Sequence, residues 1–315
     1  MTTAGRADDE LVIGTRGSAL ARWQAGHIAD ELRRAHPGLK ISEKIVVTEG
    51  DRSQTGPVID LGGKGVWVKE IEQGLLAGEI DLAVHSLKDV PAELAAGLRL
   101  VAIPPRADPR DALVSRDGAT LDGLAAGARV GTSSLRRVCQ LRAARADLSI
   151  ELLRGNVDTR LRKVAEGVVD AAILACAGLD RLGFGARITE RLSAERMLPA
   201  IGQGALALEA RGDDARVERL CRALADAEAE VTVAAERALL ATLGVGCRTP
   251  VAGHATLAGG RLTVRGLVGR PDASEMIFET VSGEPADAAA LGAELGRRLL
   301  DRGADQILKQ LEAMT

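Results

Sequence analysis

The first apolar run of the chain leads into a glycine-bearing turn and then a helix. Leu11 to Ile13 predicts a short strand, and Gly14-Thr-Arg-Gly-Ser18 follows it directly. The next stretch carries one apolar stripe at helical spacing, formed by Ala21, Ala25, Ile28, Leu32 and Ala35. Thr15, Arg16 and Ser18 therefore lie at a helix N-terminus, where free N–H groups and the helix dipole attract anions.

A second apolar run stops abruptly at two adjacent charged residues. Asp81-Leu-Ala-Val84 alternates too little for a half-exposed strand, which favours a strand buried on both faces, as in a parallel sheet. Lys88 and Asp89 follow it, and Pro91 keeps a helix from starting across this pair. Because ligands bind beyond the carboxyl ends of such strands, we expect chemistry at Lys88 and Asp89, although a plain surface turn is the simpler alternative.

Residues 45–47 predict another strand, and a glycine- and proline-rich segment comes after it. Residues 48–65 hold six glycines and prolines and suggest a mobile flap, with an ordinary surface loop as an equal alternative. Gly62-Gly-Lys-Gly65 is not a Walker loop, because no Ser or Thr follows the lysine.

The same order of elements begins again after the stiff linker Pro104 to Pro109. Arg129-Val-Gly-Thr-Ser-Ser-Leu-Arg-Arg137 repeats a strand end, Gly-Thr, a hydroxyl group, an arginine and a helix. Gly167 to Cys176 repeats Gly78 to Val84, since each has a glycine, a gap of two, an aspartate and a buried strand. The sequence therefore predicts two related α/β lobes, with the flap inserted in the first.

Glycines at Leu198 to Ala205 mark a second crossover, so we expect the chain to return to the first lobe through a double-crossover hinge. Beyond it come an alanine-rich helix at Glu228 to Thr242, three strand-like runs and a helix from about Ala286, which predict a small α+β domain. The expected domains are residues 8–104 with 205–222, residues 110–198, and residues 227–315.

Composition excludes several classes of protein. The 315 residues suggest more than one core, and a net charge of -3 with 1% aromatic residues argues against nucleic-acid binding. The four cysteines form no CxxC pair, so we expect no metal site. No apolar run is long enough to span a membrane, and the first ten residues are polar, unlike a signal peptide. We expect a cytoplasmic protein.

Arginines recur at the predicted carboxyl ends of strands in both lobes, and we expect them to face one cleft. Any one of them alone is more simply a surface residue. Several guanidinium groups around one cavity would repel each other unless carboxylates were bound, so the set predicts a polycarboxylate ligand. The set is Arg16, Arg136, Arg137, Arg154, Arg160 and Arg181.

These motifs resemble those of the porphobilinogen deaminase family along nearly the whole chain, with little specific resemblance beyond about residue 260. Asp158 departs from the family pattern by placing a negative charge between Arg154 and Arg160. The resembling stretches are Gly14–Ser18, Gly62–Gly65, Ala83–Pro91, Val130–Arg137, Leu153–Asn156 with Thr159 and Arg160, Ala177–Gly183, and Leu198–Ala200 with Gly202–Gly204.

The resemblance implies two similar, periplasmic-binding-protein-like α/β lobes and a small α+β C-terminal domain. It also implies a monomeric transferase of tetrapyrrole biosynthesis, which condenses four porphobilinogen molecules head to tail, loses ammonia at each step and releases linear hydroxymethylbilane. The family's cofactor is a dipyrromethane held by a cysteine thioether, and by motif position that cysteine is Cys247. Neighbouring Arg248 would favour its thiolate.

The resemblance also assigns the site residues. The residue that matches the catalytic carboxylate is Asp89, which would stabilise the positive charge that develops on a pyrrole nitrogen and move protons. We expect His85, inside the same motif, to be buried and structural. Cofactor contacts would come from Lys88, Asp89, Ser133, Arg136, Arg137 and Cys247, and substrate contacts from Arg16, Ser18, Thr132, Arg154, Arg160 and Arg181.

A protein of another class would share much of this pattern. A two-lobed polycarboxylate-binding or sensing protein has the same hinge, helix ends and arginines, but performs no reaction. Such a protein needs neither Cys247 nor Asp89, so these two residues distinguish the two hypotheses.

Overall fold

The computed structural model describes residues 9–48, 68–246 and 249–313. Its strands are β1 (Glu10–Thr15), β2 (Lys40–Ile45), β3 (Leu82–Ser86), β4 (Leu98–Ala102), β5 (Asp111–Ser115), β6 (Arg129–Thr132), β7 (Ser149–Leu152), β8 (Ala171–Ala175), β9 (Glu190–Leu192), β10 (Leu206–Arg211), β11 (Val251–Ala258), β12 (Arg261–Gly269) and β13 (Met276–Gly283). Its α-helices are α1 (Ala19–Ala35), α2 (Lys69–Leu76), α3 (Leu135–Ala144), α4 (Val157–Ala165), α5 (Cys176–Arg181), α6 (Ala215–Arg222), α7 (Ala227–Leu243), α8 (Ala288–Leu299) and α9 (Asp305–Ala313). Among the described residues, no helix is long and apolar enough to cross a membrane.

The chain divides into two compact units. The first comprises Met1–Arg106 and Ala205–Glu230, and the second comprises Ala107–Gly204 and Val231–Thr315. The chain thus leaves the first unit after residue 106 and returns to it after residue 204. The second unit includes the predicted second domain and all of the predicted third domain except residues 227–230, and the three-domain boundaries stay a prediction.

The sheet of the first unit has the strand order β2-β1-β3-β10-β4. β1 runs parallel to β2 and β3, whereas β10 runs antiparallel to β3 and β4. The expected parallel sheet is therefore mixed, because the returning chain enters it in the opposite direction. The strand predicted at residues 45–47 is found earlier in the chain, as β2. Its position was mispredicted because β2 is mostly solvent-exposed and carries no apolar run.

The sheet of the second unit repeats this arrangement. Its order is β7-β6-β8-β5-β9, with β6 parallel to β7 and β8, and with β5 antiparallel to β8 and β9. Strand order and strand direction thus match position by position in the two sheets. This confirms the prediction of two similar α/β lobes.

A reciprocal hydrogen-bond pair recurs at the equivalent place in both sheets. In the first unit, the backbone N–H of Asp81 donates to Val12 O (2.9 Å), and the backbone N–H of Val12 donates to Asp81 Oδ2 (2.9 Å). In the second unit, Asp170 and Arg129 form the same two bonds, each 2.9 Å long. The repeated aspartate therefore joins the start of one strand to its parallel neighbour.

The central strands are buried on both faces, as their continuous apolar sequences predict. Leu82 and Val84 pack with α1, while Ala83 packs with α2. Residues of β8 alternate in the same way between α3 and α4. Val168, which follows α4 in the sequence, lies outside this packing and is 52% exposed.

The C-terminal sheet is an antiparallel meander in the order β11-β12-β13. Cys139 of α3 packs with Ala252 and Leu267 of this sheet, so α3 and the C-terminal sheet share a buried cluster. Helix α8 lies very close to α7, since a Cβ atom at Gly292 would be 1.9 Å from the carbonyl oxygen of Ala235. The predicted small α+β fold of this region is confirmed.

Candidate active site

In the first unit, two polar segments follow parallel strands at the same edge of the sheet. β1 ends at Thr15 and is followed by Arg16, Gly17 and Ser18, and β3 ends at Ser86. Because the two strands run parallel with Gly14 paired to Ala83, their carboxyl ends lie together. A single 3-10 turn, Leu87–Asp89, continues directly from β3. The structure thus places Arg16, Ser18, Lys88 and Asp89 at one edge, as predicted for ligand contacts.

Hydrogen bonds fix both segments to the sheet. The Oγ atom of Ser18 accepts a bond from Ala21 N (3.2 Å) and caps α1. Gln24 Nε2 donates to Ser86 Oγ (2.9 Å), which ties the first helix to the end of β3. The backbone N–H of Leu87 donates to Ala205 O (3.0 Å). Lys88 and Asp89 are therefore half-buried in a turn that is held at its start.

His85, just before this turn, is buried rather than directed to solvent. It is 5% exposed, and its Nε2 atom lies 2.8 Å from Glu209 Oε2 on the neighbouring strand β10. The prediction that His85 is buried is confirmed. Its imidazole joins β3 to β10 beneath the site.

In the second unit, three segments with predicted site residues also follow strands at one edge. Thr132 ends β6 and Ser133 follows it, Arg154 comes two residues after β7, and Arg181 lies in α5 after β8. The Oγ1 atom of Thr132 accepts a bond from Ser134 N (3.2 Å), which shapes the turn into α3. Ser133 is exposed, whereas Thr132 is buried.

Arg136 and Arg137, which the sequence predicts to face a ligand cleft, are buried in this structure. They are 3% and 5% exposed, and both bind the fully buried carboxylate of Asp111. Arg136 Nη1 lies 2.7 Å from Asp111 Oδ2 and 2.8 Å from Leu198 O. Arg137 donates through Nη2 (2.7 Å) and Nε (3.1 Å) to Asp111 Oδ1, and through Nη1 to Ile173 O (2.9 Å). Two cations buried at a helix start are unfavourable without an anion, and the carboxylate of Asp111 supplies that negative charge.

Asp111 is the site residue that sequence reasoning missed. Gln203 Nε2 also donates to its Oδ1 atom (2.9 Å) and to Pro109 O (2.7 Å). Although burial alone would raise the pKa of Asp111, the charges of Arg136 and Arg137 hold the pKa of its carboxyl group well below the usual range. One signal was present in the sequence, since Asp111 is an acidic residue directly before the apolar residues 112–114 of β5.

Arg154 and Arg160 flank the start of α4. Arg160 Nε donates to Gly155 O (2.7 Å), and Gly155 has a φ of +113°, which a residue with a side chain rarely adopts. Lys163 Nζ donates to Arg154 O (3.2 Å), so a side chain of α4 fixes the loop that precedes this helix. Asp158 is exposed in the first turn of α4, where its charge suits the helix dipole.

Arg181 lies in a desolvated position. Its Nη2 atom donates to Gly204 O (2.8 Å), and burial lowers the pKa of the guanidinium group to about 10. Among the described residues, no ion pair with a carboxylate is formed by this arginine within 4.0 Å. A bound anion would stabilise the charged form of this guanidinium group and raise its pKa again.

The described cysteines are unsuited to nucleophilic attack. Cys139, Cys176 and Cys221 are free and buried. Burial raises the pKa values of their thiols to about 11, 12 and 12, respectively. Cys247 and residues 49–65 of the predicted flap (48–65) lie outside the described residues. Within the described residues, no group of His, Cys, Asp or Glu side chains is arranged to hold a metal ion.

The protein has two α/β units with the same strand order. Each unit carries hydroxyl and basic groups at the carboxyl edge of its sheet, which suits a two-unit α/β protein that binds anionic ligands. Residues 11–219 match the model "Porphobilinogen deaminase, dipyromethane cofactor binding domain", and residues 231–301 match "Porphobilinogen deaminase, C-terminal domain". The chain belongs to the porphobilinogen deaminase family. It is accordingly an enzyme, a transferase of tetrapyrrole synthesis.

Similar proteins cover nearly the whole chain. The porphobilinogen deaminase of Syntrophobacter fumaroxidans is 49% identical over 304 residues, which cover 96% of this chain and 98% of that protein. The porphobilinogen deaminase of Sorangium cellulosum is 53% identical over 294 residues, covering 92% and 98%. The resemblance inferred from the motifs is therefore confirmed.

The matches among solved structures include two periplasmic proteins. The BvgS periplasmic VFT2 domain of Bordetella pertussis matches with a TM-score of 0.39 and 16% identity, covering 69% of this chain and 87% of that domain. A TRAP periplasmic solute binding protein of Desulfovibrio salexigens matches with a TM-score of 0.41 and 12% identity, covering 70% and 73%.

Proposed function

We propose that this chain condenses four porphobilinogen molecules head to tail, with loss of one ammonia per step, to give linear hydroxymethylbilane. A dipyrromethane bound through a thioether at Cys247 would serve as the primer. Family membership supports this chemistry. The observation in this chain that carries it is the buried cluster of Arg136, Arg137 and Asp111, in which one carboxylate faces two guanidinium groups.

The residues present fit a ligand that carries several carboxylates. The cluster has one more positive than negative charge, and Arg181 adds a third desolvated cation in the same unit. A buried excess of positive charge is unfavourable unless an anion is bound. Arg136, Arg137, Ser133, Lys88 and Cys247 would hold the cofactor, which supplies the carbon nucleophile to which the chain is added.

The remaining predicted contacts would bind the carboxylates of the incoming substrate. Guanidinium groups bind carboxylates in a bidentate geometry, which orients a ligand as well as attracting it. Helix starts add backbone N–H groups and a positive dipole at the same edge of each sheet. The residues proposed for substrate are Arg16, Ser18, Thr132, Arg154, Arg160 and Arg181.

Asp89 would act on the reacting pyrrole. When ammonia leaves the aminomethyl group of the substrate, positive charge develops on the ring nitrogen, and an ionised carboxylate beside that N–H lowers the energy of the step. The same carboxylate can accept and return a proton as the ring regains aromaticity. The anchored turn after β3 supports this role, because it limits the positions that the Asp89 side chain adopts.

Cys247 is the thiol best suited to carry the primer. The other three cysteines are buried, and burial raises the pKa values of their thiols, so few thiolates form at neutral pH. In the sequence, Gly246 and Arg248 flank Cys247, and they allow close approach and favour a thiolate.

Intact-mass measurement with peptide mapping tests the proposal. We expect an added mass equal to two linked pyrrole units on the Cys247 peptide, and none on the Cys247→Ser variant. Asp89→Asn should keep the added mass, because Asp89 is not the attachment point, while losing nearly all turnover of porphobilinogen. An active wild-type protein without added mass would refute the primer, and near-normal turnover in Asp89→Asn would remove Asp89 from the chemistry.

Protein that binds porphobilinogen but shows neither added mass nor turnover would instead support the polycarboxylate-binding or sensing alternative. The cytoplasmic location, the monomeric state and the lack of nucleic-acid or membrane partners stay predictions. Cell fractionation and analytical ultracentrifugation test the first two.

A further inference from the structure

We propose that Asp111 is a positioning residue for ligand binding. It holds the guanidinium groups of Arg136 and Arg137 in the orientation in which they bind the carboxylates of a pyrrole ligand. The inference rests on the proposed function, and it gives a role to a residue that touches neither cofactor nor substrate in that proposal.

The two oxygens of Asp111 are divided between the two arginines. Oδ2 accepts from Arg136 (2.7 Å), while Oδ1 accepts two bonds from Arg137 (2.7 and 3.1 Å) and one from Gln203 (2.9 Å). Since each oxygen serves a different arginine, any rotation of the carboxylate disturbs both guanidinium groups. The geometry therefore couples the orientations of the two side chains.

The location of the arginines explains why such a clamp is needed. Arg136 and Arg137 are consecutive residues in the first turn of α3, where the helix dipole is positive and disfavours cations. Two adjacent guanidinium groups on flexible side chains would also repel each other and turn toward solvent. The fully buried carboxylate of Asp111 offsets both effects and keeps the side chains inside the unit.

The bonding pattern leaves N–H donors for a ligand on both arginines, because each Nη atom of a guanidinium group carries two N–H groups. All three guanidinium nitrogens of Arg137 form bonds, to Asp111 and to Ile173 O. Within the described residues, both bonds of the Arg136 side chain use Nη1, one to Asp111 and one to Leu198 O, so Nε and Nη2 remain as donors. Asp111 thus fixes both guanidinium groups, while Arg137 keeps one unused N–H on each Nη atom and Arg136 keeps those of Nε and Nη2.

The same cluster fixes the segment between Leu198 and Gly204. Arg136 binds the carbonyl oxygen of Leu198, and Gln203 binds Asp111 from the other end of the segment. Gln140 also binds Leu198, through bonds of 2.7 Å to its N–H group and 3.1 Å to its carbonyl oxygen. A displaced Asp111 would therefore loosen this segment together with the arginines.

Two substitutions separate positioning from simple charge neutralisation. Asp111→Asn keeps the shape but removes the charge, and Asp111→Glu keeps the charge but moves it by one methylene group. If Asp111 positions the arginines, both variants raise the KM for porphobilinogen by about tenfold or more, with a smaller change in kcat, and both carry less cofactor by intact mass. If Asp111 only neutralises charge, Asp111→Asn lowers KM because the cluster becomes more positive, and Asp111→Glu matches wild type.

Asp170→Asn is the matched control. Asp170 binds Arg129 through an ion pair of 3.0 Å in the same unit, and this ion pair includes neither Arg136 nor Arg137. We expect this variant to melt at a lower temperature but to keep the wild-type KM and cofactor content. A KM change of the same size in Asp170→Asn would show that general loosening of the unit, rather than positioning, explains the Asp111 variants.

Circular dichroism must show that the Asp111 variants fold. If neither does, Gln203→Met removes one donor to Asp111 while leaving both arginine bonds, and should raise KM by about two- to fivefold; unchanged KM and cofactor content then overturn the proposal. Failure of the proposed function is seen separately, as a wild-type protein without turnover. Active wild type together with wild-type KM in both folded Asp111 variants overturns only the role of Asp111.

Discussion

Replacing Gly292 by alanine tests the close packing of α8 against α7. A Cβ atom at this position would lie 1.9 Å from the carbonyl oxygen of Ala235 and 2.8 Å from its carbonyl carbon. One helical turn later, a Cβ atom at Gly296 would lie 2.6 Å from the Cβ of Thr242. The two glycines, four residues apart, thus form a smooth stripe that lets the helix backbones approach.

The size of the effect follows from these distances. An ordinary carbon–oxygen contact is about 3.3 Å or longer, so the helices must separate by roughly 1.4 Å. Since the opposing atom is backbone, no side chain can move aside, and such overpacking costs roughly 1 to 3 kcal/mol or more. Alanine gains about 1 kcal/mol over glycine inside a helix. Because the clash is with backbone, the upper end of this cost applies, and we expect Gly292→Ala to lower the free energy of unfolding of the second unit by about 2 kcal/mol.

Gly26→Ala is the matched control, because Gly26 lies inside α1 with open space around it. An added Cβ atom would meet only the side-chain oxygen of Glu43, at 3.8 Å, which is an ordinary contact. Here the helix-propensity term acts alone, so the first unit should gain about 1 kcal/mol. The same chemical change thus has opposite signs at two helical positions.

Differential scanning calorimetry measures both effects. A change of 1 kcal/mol shifts the melting temperature by roughly 2 to 4 °C for units of this size, and two compact units can give separate transitions. Gly292→Ala should lower the transition of the second unit, and Gly26→Ala should raise that of the first. A Gly292→Ala variant as stable as wild type would show that α7 and α8 are not packed this closely.

Two other expectations concern titratable groups. Hydrogen bonds from the side chain and then the backbone of Arg129 lower the pKa of Asp170 to about 2. The stabilisation is complete above the unfolded-state pKa of about 4 and is lost as the pH falls through about 2, so wild type should lose more stability than Asp170→Asn in melting curves from about pH 5 to 2. Cys139, Cys176 and Cys221 should resist alkylation at pH 8 in native protein but react in denaturant; rapid native labelling would contradict their burial.

The duplication of the fold was predictable because it rests on local pattern. The glycine, aspartate and apolar run around Asp81 recurs around Asp170, and the structure gives both aspartates the same reciprocal bonds. The direction of the strands was harder to predict from the sequence. Nothing near β3 in sequence reveals that β10, more than a hundred residues later, enters beside it with the opposite direction.

The site was predicted in part. The placement of Lys88, Asp89 and Arg16 at the ends of parallel strands followed from the motifs and the strand pattern. The burial of Arg136 and Arg137 did not, because it depends on Asp111, which is 25 residues from Arg136 and meets it only through tertiary packing. Charge pairing between distant elements has no local sequence signature, so an arginine at a helix start looks exposed until its partner is known.

The return of the chain at residue 205 has a consequence for synthesis on the ribosome. The sheet of the second unit uses residues 111–192 without interruption, so all its strands are available as soon as that stretch has emerged. The sheet of the first unit waits for Leu206–Arg211, because this strand separates β3 from β4. The five-stranded sheet that begins first along the chain is thus completed after the five-stranded sheet of the second unit, and until then β3 and β4 present unpaired edges that chaperones can recognise.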